Sequence, residues 1–402
     1  MSDQPTVTGP AEDDGGTDVG PHLSPLHDEH VALGATIVGF AGWAMPLRYT
    51  SDLEEHRAVR QAAGLFDLSH MAEIRLAGPD AADALDLALV GAISTLAVGR
   101  ARYSMLCTPQ GGVVDDLIVY RTGDQEFLVV ANAANHRTVV DELERRCAGP
   151  GVVSTDESMT TALVAIQGPV AQDVLTALVP DPDERDRVAA LRYYACQPTT
   201  VRAEGRDVHA LVARTGYTGE DGFELYVDPA DAPALWRALL VQGRPAGLVP
   251  AGLACRDSLR LEAGMPLYGH ELDRTTTPFD AGLGRIVALG KSDDDGAPLP
   301  FVGREALAAR AEAEPTRTLV GLEGLSRRAA RQGYPVLAGP GGAVVGEVTS
   351  GAPSPTLGHP VAMAYVVPEV GAPGTELVVD VRGRAEPVRV VPLPFYRRPS
   401  ST

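Results

Sequence analysis

The sequence is poor in the features that mark several protein classes. No apolar run approaches the ~18 residues a membrane helix needs, and the first 22 residues hold no Lys, no Arg and no apolar signal-peptide core. A cytoplasmic protein without membrane contact is the expectation. Cysteine is scarce: Cys107, Cys147, Cys196 and Cys255 lack the C-x-x-C spacing of zinc or redox sites and read as free, buried thiols. Positive charge is short too. A net charge of −19 without clustered Lys and Arg excludes an extended nucleic-acid surface, which must neutralise phosphates. The sequence has no P-loop and no Gly-x-Gly-x-x-Gly after a strand, so nucleotide chemistry lacks its usual phosphate cradle. His56 and His70 form neither H-x-x-x-H nor H-E-x-x-H, and no metal is expected.

What is present suits a large folded protein. The chain has 402 residues, 45% of them hydrophobic and 22% charged, which is too long for one ordinary core and implies several modules. Residues 1–21 are acidic and Gly/Pro-rich, and read as a disordered tail because they cannot bury enough apolar surface. Strand-like and helix-like runs then alternate in an α+β pattern. A strand is expected over Thr36–Phe40, a turn over Gly42–Pro46, and a helix over Asp52–Gln61 with Gly64 as its C-cap. Further strands are expected at Ala72–Leu76, Ala101–Cys107, Val113–Arg121 and Glu126–Ala131, with helices at Asp80–Leu89 and His136–Arg146. The strand ending at Gly168-Pro169 precedes a helix over Val170–Leu178, and helices are also expected at Ala230–Gln242 and Gly252–Ala263. The charged linker Lys291–Pro300 marks a boundary. From Thr318 to Val391, short β-like runs between Gly/Pro turns suggest a β-barrel or jelly roll.

Three segments carry candidate chemistry. In Gly111–Tyr120 the period of two puts Asp116, Ile118 and Tyr120 on one face, with Leu117 and Val119 on the other. A carboxylate there can accept a heterocycle N–H or hold a developing cation; the plainer reading is that Asp115 and Asp116 finish a hairpin turn. The loop Arg214–Gly222 has three glycines that permit close backbone approach, and leads into a strand carrying Glu224. Glu224 can pair with an amino-pyrimidine edge, or simply face solvent. In the helical run Arg256–Gly264, Arg256 and Arg260 share a face and Asp257 precedes Arg260 by three positions, which suits either an intrahelical ion-pair network or an Arg fork. Ser69-His70 is a poor hydrolase pair, since neighbours in an extended segment point opposite ways and no nucleophile elbow surrounds them.

Taken in order, Gly42–Pro46, Gly64–Met71, Gly111–Tyr120, Thr215–Glu224, Arg256–Gly269 and Thr349–Gly358 resemble the aminomethyltransferase (T-protein) family of the glycine cleavage system. The resemblance covers about Ser24 to Arg398 and implies three domains in a clover leaf around an opening that holds folate. These would be a discontinuous α+β domain of residues 22–71 and 152–290, an α+β domain of 72–151, and a β domain of 301–402. It further implies that Asp116 is catalytic and lies near the reacting folate nitrogens, while Glu224 and Arg256 hold the pterin. Tyr103, Tyr120, Asn132, Tyr193 and Tyr217 would line the pocket, and the segment around Arg398 would approach the folate. Tetrahydrofolate is the implied co-substrate. A lipoyl-bearing H-protein is the implied partner, with functional links to the glycine decarboxylase and dihydrolipoamide dehydrogenase components. Relatives on the same scaffold include folate-dependent demethylases of small N- or S-methyl compounds. They also include a non-enzymatic folate-binding protein of iron–sulfur assembly, but the Lys-Gly-Cys motif of that group is replaced here by Arg331-Gln332-Gly333-Tyr334.

Overall fold

In the computed structural model, residues 20–293 and 295–399 are described. The stretch expected to be disordered, residues 1–21, lies outside them apart from Gly20 and Pro21. Two mixed α/β layers, one closed barrel and a small three-stranded sheet make up the described residues. The first sheet has six strands in the spatial order Cys196–Ala203, Arg206–Ala213, Gly222–Val227, Ala162–Gln167, Ala63–Asp67 and Leu248–Pro250. The second has five: Ala101–Cys107, Val113–Gly123, Glu126–Ala131, Ala72–Ala77 and Val153–Asp156. The chain therefore returns to the first sheet only after Asp156, because Val153–Asp156 pairs antiparallel with Ile74–Ala77.

Burial explains why these sheets lie against each other. All six residues of Ala162–Gln167 are buried, which is what a central strand covered on both faces requires. Ala162, Val164 and Ile166 join a core completed by the helices Ala171–Ala177 and Ala232–Gly243, with Trp236 fully enclosed. Leu163 and Ala165 point the other way and meet Tyr120, Leu128 and Val130 of the second sheet. In that sheet Ala72, Ile74 and Leu76 pack into its own core with Leu117 and Val119. The interface between the sheets is thus apolar at its centre, and the loops at its edge carry the polar groups discussed below.

The barrel closes in the order Thr318–Gly324, Pro360–Val366, Val344–Pro353, Pro335–Leu337, Glu376–Asp380 and Ala385–Val391. It docks on the helix Leu253–Glu262 through buried polar contacts. Arg260 Nη2 donates to Ser350 Oγ at 2.8 Å and Arg260 Nη1 to Glu271 Oε2 at 2.9 Å. Thr349 Oγ1 donates to Glu271 Oε1 at 2.6 Å. Glu262 accepts from Ser354 and Thr356 of the barrel, and from Arg60 of the helix Asp52–Gln61 at 2.9 Å.

Four local expectations change. Gly42–Pro46 is not a turn: Ala41 and Gly42 take the positive φ values of 49° and 81°, and Trp43–Arg48 then pairs as a strand with Thr36–Phe40. Gly64 is no C-cap; Ala62 is, and Gly64 lies inside a strand where a Cβ would meet Val59 Cγ2 at 2.5 Å. A helix the pattern did not announce spans Pro182–Ala189, capped by Asp181, whose side chain accepts from Glu184 N at 2.8 Å. The Lys291 end of the charged linker is buried: its Nζ donates to the carbonyls of Asp86, Leu89 and Gly91, fastening it to the second unit.

Candidate functional site

The hairpin Gly111-Gly112 sets the position of the two aspartates. Gly111 has φ 86°, and a Cβ on Gly112 would come within 1.8 Å of the Arg274 carbonyl oxygen. Val113 N also bonds to Asp273 O and Thr276 O, both at 3.0 Å. The strand therefore leaves the hairpin stitched to the segment that follows Glu271. Alternation then separates the acids. Asp115 is fully buried and accepts from Asn132 N (3.0 Å), Asn132 Nδ2 (2.8 Å) and Asn135 Nδ2 (2.7 Å). Asp116 takes the face of Tyr120, accepting from Tyr103 Oη at 2.9 Å and Asn132 Nδ2 at 2.9 Å. Asn132 thus holds both carboxyls in register. Burial raises both acids above the ordinary aspartate range; Asp115 is pushed up to about 8, with the Asp116 charge as the second cause. Tyr103 and Asn132 oppose the rise at Asp116.

Across the sheet interface, Glu224 is buried and accepts at Oε2 from Thr215 and from Tyr120 Oη at 3.3 Å. It is not solvent-facing, which removes the plainer reading of that residue. Arg256 stands over the Tyr217 ring at 4.9 Å and makes no ion pair among the described residues. Burial pulls its guanidinium down, with the Glu224 charge the leading opposing influence. Arg260, its neighbour one turn on, is spent on Asp257, Glu271 and Ser350. The two readings of that helix are therefore divided between its arginines: Arg260 builds structure and Arg256 stays available. Tyr217 Oη donates to Pro266 O at 2.5 Å, and burial pushes its phenol up, with the Arg260 charge the leading opposing influence and the Asp116 charge adding to the rise.

The remaining expected positions, Tyr193 and Arg398, are exposed. Tyr193 is 43% exposed, its ring edge-on to Tyr194 at 4.9 Å. Its phenol is shifted upward by burial and then by Glu224, with Arg398 opposing. Arg398 pairs with Asp221 at 3.3 Å, and Asp221 is also held by Arg214. Tyr194 was not singled out from the sequence. It sits at φ 59°, an uncommon conformation for an aromatic residue, and its phenol is pushed up by burial first, then by Tyr193, Glu224 and Asp116. Thr215, Asn135 and Glu271 were likewise missed: nothing in a run of single polar residues announces a partner far along the chain.

Ser69 and His70 are not paired. Ser69 Oγ accepts from Leu163 N at 3.1 Å, while His70 packs edge-on against Phe40 and is pushed down to about 4 by burial.

Two mixed α/β units and a closed six-stranded barrel make this an α+β protein with a C-terminal barrel. Residues 26–291 match the model of the GCVT N-terminal domain, and residues 317–397 that of the glycine cleavage T-protein C-terminal barrel domain. The chain belongs to the aminomethyltransferase (glycine cleavage T-protein) family. It is 57% identical to the aminomethyltransferase of Saccharopolyspora erythraea, over 94% of this chain and 99% of that one. It is 58% identical to that of Streptomyces avermitilis, over 94% and 98%. The crystal structure of glycine cleavage system aminomethyltransferase T from Bartonella henselae is similar, with a TM-score of 0.82 and 36% identity over 94% of this chain and 98% of that one.

Proposed function

We infer that this chain moves a one-carbon unit from a lipoyl-bearing H-protein to tetrahydrofolate. The lipoyl sulfur carries an aminomethyl group. Its C–N bond breaks to release ammonia, and its C–S bond breaks to release the dihydrolipoyl thiol. The carbon is captured by the folate nitrogens as 5,10-methylenetetrahydrofolate, and the two N–H protons these lose end on the departing amine and thiolate. The observation that carries this reading is Asp116, turned to the sheet interface and held by Tyr103 and Asn132. A fixed anion at that place stabilises positive charge on the carbon in transit without forming a bond to it.

The other groups suit a flat, donor-rich heterocycle. Glu224 offers a buried carboxylate to an amino-pyrimidine edge, and Arg256, which pairs with no carboxylate among the described residues, offers donors to its carbonyl side. Tyr103, Tyr120, Tyr193 and Tyr217 supply aromatic walls, and Arg398 lies at the rim for the anionic end of the folate. We assign three of the hydrophobic cores, one against each large sheet and one inside the barrel, to three domains. We place the protein in the cytoplasm beside the glycine decarboxylase and dihydrolipoamide dehydrogenase components; among the described residues, no helix is long and apolar enough to cross a membrane.

The test is ammonia release and methylenetetrahydrofolate formation from aminomethyl-loaded H-protein, with and without tetrahydrofolate. Folate-dependent turnover supports the reading. Tight folate binding with no turnover on that carrier overturns it in favour of a demethylase of a small methylated compound.

A further inference from the structure

Lys291 is 7% exposed, and its ammonium commits its N–H donors to main-chain carbonyls rather than to a carboxylate. Nζ donates to Asp86 O, to Leu89 O at 2.7 Å and to Gly91 O at 3.1 Å, with the Phe301 ring centre 4.1 Å away. A buried ammonium is costly unless its donors are met, and here all three are. Two of these carbonyls end the helix Ala81–Ala88, where the last C=O groups have no partner inside the helix and a cation is favoured. Capping that helix would need no more. The same cation, however, reaches on to Gly91, beyond the cap.

From Gly91 a line of direct contacts leads to the candidate site. Gly91 N donates to Ser104 Oγ at 3.0 Å, Val90 N donates to Met105 O at 3.1 Å, and Val90 O accepts from Ala288 N at 2.9 Å. A Cβ on Gly91 would stand 2.9 Å from Ser104 Oγ, so the loop is seated on the outer edge of the strand Ala101–Cys107. That strand carries Tyr103, whose Oη donates to Asp116 Oδ2 at 2.9 Å, and Met105, which is the register partner of Asp116. Ser104 and Met105 are both 0% exposed, and Val90, Met105 and Phe301 share one apolar cluster against which Tyr103 packs. We infer that Lys291 is a positioning residue for the transfer step: by gathering the carbonyls of residues 86–91 it presses Val90-Gly91 onto the edge strand, and so fixes the reach of Tyr103 to Asp116. Lys291 touches neither of them, and its role rests on the aminomethyl-transfer reading of Asp116.

The test is a double-variant cycle on kcat and on the KM for tetrahydrofolate, with aminomethyl-loaded H-protein as donor, for the wild type, Lys291→Met, Tyr103→Phe and the two combined. Tyr103→Phe keeps the ring but removes the bond to Asp116, and should lower kcat by about tenfold, the usual contribution of one hydrogen bond to a charged group. Lys291→Met keeps the length of the side chain without its donors. It should lower kcat to a similar degree while KM changes by less than about twofold, because no folate contact is removed. The double variant should fall no further than the worse of its parents, since both remove the same hydrogen bond. Losses that multiply to about 100-fold overturn the inference. So does a Lys291→Met that melts earlier yet keeps the wild-type kcat, which would make the lysine a helix cap and nothing more. Should Lys291→Met fail to fold, Ser104→Ala, which cuts the link to Gly91, takes its place in the cycle. A kcat loss shared with Tyr103→Phe then supports the inference, and a multiplied or absent loss overturns it. No turnover by the wild type on this carrier sinks the transfer reading itself, which keeps the two failures apart.

Discussion

At the scale of single residues, the site divides labour between side chains that look alike in the sequence. Asp115 has three N–H donors from Asn132 and Asn135 and anchors the strand, whereas Asp116 faces the sheet interface. Asp116→Asn should therefore lower kcat by about 100-fold or more while tetrahydrofolate Kd changes by less than about threefold. Equal loss in both would contradict the electrostatic role. Glu224→Gln should act the other way, raising Kd by about 10- to 100-fold through loss of charge-assisted hydrogen bonds, as read by calorimetry. Period-two alternation was enough to separate Asp116 from Asp115, because the faces of a strand can be counted. The same rule could not find Asn135 or Thr215, whose partners stand 20 and 9 positions away in irregular geometry. It also left Arg256 and Arg260 undivided, since only the barrel, through Ser350, shows which arginine is occupied.

At the scale of elements, most strands and helices stand where hydrophobic period and turn residues placed them; the helices Asp52–Gln61 and His136–Arg146 and the strand Glu126–Ala131 match to the residue. Misreadings occurred where tertiary pairing overrides a local signal. Trp43–Arg48 contains a proline, which disfavours sheet interiors, yet it pairs on both sides, with Thr36–Phe40 and with His22-Leu23. Pro182–Ala189 is short and polar, and only its capping aspartate and leading proline mark it as a helix. The Gly111-Gly112 hairpin makes the most exposed prediction at this scale. Gly112→Ala forces a methyl group against the Arg274 carbonyl. The cost should be about 1–3 kcal/mol in denaturant unfolding, with a larger fractional loss in kcat than in folate affinity, because the shift is passed along the strand to Asp116. An unchanged midpoint and unchanged kcat would show that the hairpin does not position the acid.

At the scale of the whole molecule, Glu262 joins three parts: its own helix, His56 and Arg60 of Asp52–Gln61, and Ser354 and Thr356 of the barrel. Those partners, His56 foremost, outweigh its burial and hold its carboxyl down to about 2. A depressed carboxyl stabilises the fold above its unfolded-state value near 4.5, and that contribution is lost as pH falls through the folded-state value. Thermal stability should therefore fall between about pH 4.5 and pH 2, with this group contributing about 3 kcal/mol. Glu262→Gln should be less stable at pH 6 and show a shallower acid limb; an unaltered limb would assign the loss to other carboxylates. The arrangement of the three parts was not legible in composition or period, since their buried polar contacts join residues up to 300 positions apart. The last turns of the described chain complete this junction: Tyr396 N bonds to Glu262 O at 2.8 Å, Arg60 stacks on the Tyr396 ring at 4.0 Å, and Arg398 reaches Asp221. On a translating ribosome these residues emerge long after the two sheets they fasten. The contacts that tie Glu262, Arg60 and Asp221 together there can form only once both sheets have been made, so this junction is among the last parts of the fold to close.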